Sequence, residues 1–233
     1  MNINDYFDNI YVLNLNRRKD RSENTKSRLD KIRIKYEKFG ATDGSVIKPL
    51  WESFHKENTN FTTPNYLACS ISHLSIYKDA IENGYNRILI LEDDILVNKN
   101  IHTIFESMEI PEWKDLFYLG YIPLSDDQSM WTYQIVDQFI SEKVCIPKNF
   151  WGLFAYGLTN NLMKELLETY DKEFPMEIDR YLVKHIQPRR QSIASSPQLF
   201  CHQDIFSDNM NQYQYGMVLR SVDTRFASIE DYI

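Results

Sequence analysis

The sequence predicts an α/β chain built on a central, mainly parallel sheet. Three observations carry this. Apolar runs of strand length alternate with amphipathic stretches of helical period, the pattern of parallel-sheet proteins. One run, "RILILEDDILV" (87–97), goes from nearly unbroken apolar residues straight into Glu92, Asp93 and Asp94. The 233 residues are 43% hydrophobic, enough for one sizeable core, so a single domain over 1–233 is expected.

Each element has its own signal. "NIYVLNL" (9–15) reads as a buried first strand. The charged segment from Arg17 to Ile34 reads as a helix with Leu29 and Ile32 as its core contacts. "YEKFGATDG" (36–44) reads as a second strand closing in a turn at Asp43-Gly44. Residues 45–65 are polar and irregular, which predicts a surface loop. "SISHLSIYKDAIENG" (70–84) is an amphipathic helix, with Ile71, Leu74, Tyr77 and Ile81 on one face, Ser70 or Ser72 as its cap and Gly84 at its end. A strand over 87–91, a short helix from Asn100, a strand over 115–122 and a strand–turn–strand within 143–159 follow. Helices over "NLMKELLETY" and "EIDRYLVKHI" come next, and then the extended "SIASSPQLFCHQDIFSDN".

Composition narrows the function classes. The net charge of −7 and pI near 5.3 offer no basic face for nucleic acid. The N-terminus reads as neither a signal nor a transit peptide. No run approaches the ~18 apolar residues of a membrane span. Cys69, Cys145 and Cys201 are odd in number and widely spaced, so reduced thiols are expected rather than a disulfide framework or a cysteine-based zinc site. Together these favour a cytoplasmic protein, bacterial or viral.

The acid trio needs an explanation. Two carboxylates about 4 Å apart repel by about 4 kcal/mol at an effective dielectric of about 20. Solvated acids in a loop are one reading. A receiver domain is a second, because "ILILEDD" resembles that family's first strand. There the acids stand near the chain start, whereas 86 residues precede this strand, and Asp137 lacks the expected turn after it. A glycosyltransferase of GT-A type is the third. Such enzymes hold a divalent cation on acids at a strand's end, where it bridges the phosphates of a nucleotide-sugar. The cation stabilises charge on the leaving diphosphate and neutralises the acids. Oxygen ligands suit Mn²⁺ or Mg²⁺.

Four segments in order favour the third reading: "YVLNLNRRKDR" (11–21), "KFGATDG" (38–44), "ACSISHLSIYKDAIENG" (68–84) and "ILILEDDILV" (88–97). Together they resemble glycosyltransferase family 25, which includes lipopolysaccharide galactosyltransferases and the collagen hydroxylysine galactosyltransferases. That family shows an Asn-Leu-x-Arg-Arg-x-x-Arg strand end, an Ala-x-Asp-Gly turn, a Cys-x-x-Ser-His helix start and a Glu-Asp-Asp motif. Later segments match more loosely. Ala68 stands where the family commonly has glycine, and 45–65 and 121–147 have no counterpart.

The resemblance implies a GT-A-like fold and an inverting transfer. The donor is a UDP-hexose, galactose or glucose, and the acceptor a hydroxyl on a glycan or hydroxylated protein. It places Asn14, Arg17 and Arg21 at the nucleotide, where arginine can meet phosphate. Asp43 and Gly44 would contact ribose, and Ser72 and His73 would face the donor from a helix N-terminus. Asp94 is the expected metal ligand, with Glu92 and Asp93 touching ribose or the metal through water. His202, Asp204 or Asp208 would complete the metal site, His202 being preferred. Trp131, Trp151 and Tyr156 are candidates for a sugar site. Asp179, at a predicted helix start, is the expected catalytic base, with Glu177 and Asp208 behind it. Two alternatives stay open. A nucleotidyltransferase should carry a glycine-rich loop after the first strand, and "NLNRRKD" has none. A degenerate family member would act as a glycan-binding or scaffold module.

Overall fold

The computed structural model describes residues 1–55, 63–124, 136–207, 212–214 and 227–233. Its centre is an eight-stranded sheet in the order β2-β1-β3-β8-β5-β9-β7-β6. These strands are β1 (Asn9–Asn14), β2 (Glu37–Gly40), β3 (Arg87–Glu92), β5 (Leu116–Pro123), β6 (Val136–Ser141), β7 (Val144–Pro147), β8 (Phe150–Thr159) and β9 (Ile193–Ser195). The remaining short strands are β4 (Ile95–Val97), β10 (Phe200–His202), β11 (Ile205–Ser207) and β12 (Gln212–Gln214). β2, β1 and β3 are parallel neighbours, β8 runs against both β3 and β5, and β9 is parallel to β5. β7 opposes β9 and β6, so the sheet is mixed, with six of its eight strands pointing one way. The α/β architecture expected from the sequence is the one observed.

Alternation along the strands builds two cores. Ile10, Val12, Leu89 and Leu91 face one side of the sheet; Tyr11, Leu13, Ile88 and Ile90 face the other. The first side is covered by α1 (Ile3–Tyr6), α2 (Lys19–Lys31) and α5 (Ile101–Glu106). The second is covered by α4 (Pro64–Glu82), α6 (Asn160–Lys172) and α7 (Ile178–Tyr181), the last continuing as a π-turn over Leu182–Ile186. In α6, of the stripe Leu162, Met163, Leu166, Leu167 and Tyr170 that the helical period predicts, all are buried except Leu167, which is half-buried against the same core.

Three expectations are corrected. The predicted loop 45–65 contains a helix, α3 (Lys48–His55). The helix expected to begin at Ser70 begins at Pro64, with the Thr63 side chain accepting from Tyr66 N. Ser72 and His73 therefore lie in the body of α4 and not at its N-terminus. Proline at the first helical position after a threonine cap is the signal for this start. The predicted end holds: Gly84 takes φ +74°, its N–H bonds Ile81 O, and Tyr85 N bonds Ala80 O.

The C-terminal residues secure β4. Val97 and Ile233 exchange backbone hydrogen bonds, and Tyr232 Oη donates to Gln198 O. β4 also pairs antiparallel with β10, setting His202 opposite Ile95. That register fixes the candidate site.

Candidate functional site at the carboxyl end of β3

The turn from β3 into β4 carries the acid trio, and the period of the strand splits it. Glu92 follows Ile88 and Ile90 toward α4, whereas Asp93 follows Leu89 and Leu91 toward α2. The three carboxylates thus do not share one environment.

Asp93 is held from within the protein. The parallel register Leu13↔Glu92 sets Asn14 beside it, and Asn14 Nδ2 donates to Asp93 Oδ2 at 2.5 Å. On α2 the residues Arg21, Thr25 and Leu29, four apart, form the buried stripe. Arg21 Nη1 donates to Asp93 Oδ1 at 2.9 Å and lies 3.5 Å from Asp94 Oδ2. Thr25 Oγ1 donates to the Asp93 carbonyl at 2.9 Å. Arg21 is thus an internal counter-ion to Asp93 at the edge of the cleft, and Asn14 is likewise turned to Asp93. Burial pushes the Asp93 carboxyl up and the neighbouring Asp94 adds to this, while Arg21 and Asn14 oppose it.

Asp94 is only partly compensated. Its Oδ2 lies 3.4 Å from His202 Nε2, and its buried Oδ1 has no hydrogen-bond partner among the described residues. Burial raises the Asp94 carboxyl, with His202 pulling it down and Glu92 pushing it up. The pairing of β10 with β4 brings His202 here, and Gln203 N donates to Asp94 O. His202 Nδ1 lies 2.7 Å from Gln203 O. A ring nitrogen facing a carbonyl carries a proton, so in the neutral ring Nε2 bears the lone pair, on the side of the carboxylate. A buried carboxylate with one oxygen orphaned among the described residues, and an imidazole nitrogen 3.4 Å from its other oxygen, are oxygen and nitrogen donors of the kind that hold a divalent cation. The residues present thus fit the Mn²⁺ or Mg²⁺ that the family resemblance implies.

Glu92 Oε1 lies 3.2 Å from His73 Nε2, and His73 Nδ1 lies 2.8 Å from Tyr156 Oη, which is 2.6 Å from Tyr77 Oη. His73, Tyr77 and Tyr156 are fully buried. The His73 ring is thus buried and meets Glu92 at the cleft wall, and Tyr156 belongs to the core and not to a sugar site. Ser72 Oγ donates to Ala68 O and accepts from Thr42 N, tying α4 to the segment after β2.

An open cleft of about 630 Å³ lies over this strand end. Arg17, Arg21, Gly44, Ser72, Glu92, Asp93 and Asp94 line it, among others. Arg17 is half exposed and its Nε donates to Asp43 Oδ2 at 2.6 Å. Asp43 Oδ1 accepts from Ser45 N and Oγ, so one carboxylate oxygen holds the turn and the other holds Arg17. A Cβ on Gly44 would come within 2.9 Å of Asn65 Cα, so only glycine lets this turn close against α4.

Asp179 stands in the first turn of α7 and accepts from Arg180 N. It does not cap the helix: Glu177 is the N-cap residue, and Ser70 Oγ accepts from Ile178 N. Burial raises the Asp179 carboxyl, Glu177 and Glu92 raise it further, and His73 lowers it. Asp179 thus senses the charges of the cleft's α4 side. Trp151 is half buried, Asp204 is half buried after β10, and Trp131, Asp137 as a side chain and Asp208 lie outside the described residues. The three cysteines are thiols, as expected. Thr25, Tyr77 and Cys69 were not legible as site residues, because each depends on a long-range approach of helix to strand end.

An acid-bearing turn at the carboxyl edge of a mixed α/β sheet, with a histidine brought to it by a late strand, defines the class of fold the motifs implied. Residues 7–182 match the sequence profile of glycosyltransferase family 25 (LPS biosynthesis protein), and the chain belongs to that family. It is 24% identical over 194 residues to a probable inactive glycosyltransferase 25 family member 3 of Bos taurus, covering 76% of this chain and 31% of that one. A procollagen galactosyltransferase 1-B of Xenopus laevis is 28% identical over 130 residues, 49% of this chain and 21% of its own. A procollagen lysyl hydroxylase and glycosyltransferase of Acanthamoeba polyphaga mimivirus is 27% identical over 200 residues, 74% and 21% respectively. The chain therefore spans less than a third of the length of these relatives. A solved glycosyltransferase involved in the glycosylation of the major capsid of PBCV-1 aligns over 80% of this chain and 79% of its own, with 13% identity and a TM-score of 0.45. No described helix is long and apolar enough to cross a membrane.

Proposed function

We propose that this chain is a metal-dependent, inverting hexosyltransferase. It moves galactose or glucose from a UDP-sugar to a hydroxyl of a glycan or hydroxylated protein. The observation that carries the reading is the buried Asp94 carboxylate at the cleft, its Oδ1 without a partner among the described residues and its Oδ2 3.4 Å from His202 Nε2. Family membership supports the reaction class, and the names of the galactosyltransferase relatives support the sugar and the hydroxylated acceptor.

Mn²⁺ or Mg²⁺ held by Asp94 and His202 would neutralise the charge that builds on the departing diphosphate. The chain's own residues do the rest. Arg21 and Asn14 lock Asp93 so that the turn keeps Asp94 aimed at the cleft. Arg17, half exposed on the cleft wall, can swing from Asp43 to a phosphate oxygen. Gly44 and Ser72 keep the wall close to the nucleotide. Asp179 accepts the proton of the acceptor hydroxyl as its oxygen bonds the anomeric carbon and the bond to the diphosphate breaks. Such a base contributes about 10²–10⁴-fold. Its raised proton affinity sets the sign of the pH dependence. The carboxylate is the working form, so activity falls as pH falls through a pKa above the ordinary aspartate range.

The test is a screen of nucleotide-sugars with Mn²⁺, reading released nucleoside diphosphate. Turnover of UDP-galactose or UDP-glucose is expected. Asp179→Asn should keep UDP binding and lose at least about 100-fold in kcat. A variant at near wild-type rate makes Asp179 structural. Binding of UDP with no turnover of any UDP-sugar by the wild type would instead fit a glycan-binding or scaffold role, as the relatives named inactive suggest.

A further inference from the structure

The side of the cleft formed by α4 presents a second, chemically different ligand set. Cys69 and His73 stand four residues apart on one face of α4, and Glu92 reaches them from the end of β3. Cys69 Sγ, a His73 ring nitrogen and a Glu92 carboxylate oxygen all lie within 4.8 Å of one another. His73 Nε2 and Glu92 Oε1, 3.2 Å apart, already have about the separation of two ligands on a tetrahedral zinc with bonds of about 2.0–2.2 Å. The His73 ring is fixed from behind. Its Nδ1 bonds Tyr156 Oη, itself bonded to Tyr77 Oη, so Nε2 is held toward Glu92. A histidine oriented through its other nitrogen is the usual support of a metal ligand. Access is open, because Cys69 and Glu92 both line the cleft and Glu92 is 24% exposed.

We propose that Cys69, His73 and Glu92 form a cation site for a thiophilic divalent ion of the Zn²⁺ class, with its fourth position open to the cleft. Sulfur and imidazole ligands select soft and borderline ions, and a hard ion such as Mg²⁺ gains little from them. The cleft thus sorts cations by softness: oxygen-dominated at Asp94, sulfur-containing at Cys69. Binding replaces the Cys69 S–H by a metal–thiolate bond and the His73 Nε2–H by a metal–nitrogen bond; one proton goes to solvent and the other moves to His73 Nδ1, which then donates to Tyr156 Oη. Glu92 exchanges its contact with His73 for the ion they then share. The inference stands on these three side chains and does not require the transferase reading.

Co²⁺ is the probe, because a cobalt–thiolate bond gives a charge-transfer band in the near ultraviolet. The purified chain titrated with Co²⁺ should show the band and lose it when Zn²⁺ is added. Cys69→Ser should abolish it, and Asp94→Asn should keep it. A second measurement needs no variant. Zn²⁺ should slow alkylation of Cys69 at least tenfold, mapped by peptide mass, and Mg²⁺ should leave it unchanged. Absence of the band, its survival in Cys69→Ser, or alkylation indifferent to Zn²⁺ would each overturn the site. Loss of transferase activity with these results intact would bear on the proposed function alone.

Discussion

At the residue scale, Arg21 does what a bound cation was expected to do for the trio as a whole. Its side chain is 6% exposed and that of Asp93 9%, so the pair is removed from water. Breaking such a pair by removing one partner leaves an uncompensated buried charge and costs about 3–5 kcal/mol. Arg21→Ala should lower the unfolding free energy by about that much, read from the denaturant midpoint. Adding Asp93→Asn should recover a large part, since the stranded charge is then gone. Equal stability of single and double variants would show that Asp93 is not the group left exposed to this penalty. The arginine was legible as a residue of the family motif, but its direction was not. The segment "RRKDRSENTKSRLDK" reads as solvated because Leu29 is the sole apolar member of the stripe that Arg21 and Thr25 complete. Only the approach of α2 to the end of β3 reveals that a charge lies on the buried face.

At the element scale, strands and helices were legible wherever periodicity ran unbroken. β1, β3, β5, β8 and α6 fall where alternation or a helical stripe places them. The start of α4 was misplaced because its first residues, Pro64 and Asn65, fall in the polar stretch 45–65, although Thr63-Pro64 is a start signal. Ser72 and His73 therefore meet their surroundings from a helix body, through side chains, without the open N–H groups of a helix start. The end of α4 offers a clean test of backbone strain. Gly84 has φ +74°, and a Cβ there would meet nothing within 4 Å. Gly84→Ala should therefore cost about 1 kcal/mol through conformation alone. The denaturant midpoint should fall with an unchanged slope. An unaffected midpoint would mean that the α4 terminus relaxes without cost.

At the scale of the whole molecule, the sheet gathers groups distant in sequence at one edge. β1 brings Asn14 and β3 the acids, while α2 supplies Arg21 and α4 the His73 chain. β10 returns late to deliver His202. The late histidine was nameable from the sequence as one of three candidates, Asp204 and Asp208 being the others. Its distance from Asp94 depends on the antiparallel β4–β10 pair, which no local pattern encodes. A site assembled this way couples ligand binding to global stability. UDP with Mn²⁺ at about 100 times its dissociation constant should stabilise the fold by about 2.7 kcal/mol, seen as a raised melting temperature. ADP and GDP should do less. A larger shift with ATP would favour nucleotidyl chemistry over glycosyl transfer. The most direct test of the central claim is calorimetric titration of UDP into the wild type and Asp94→Asn, each with Mn²⁺ and with chelator. Binding to the wild type is expected only with Mn²⁺, and at least tenfold weaker binding to a folded Asp94→Asn. Equal affinity of both proteins for UDP, with or without the cation, would contradict it.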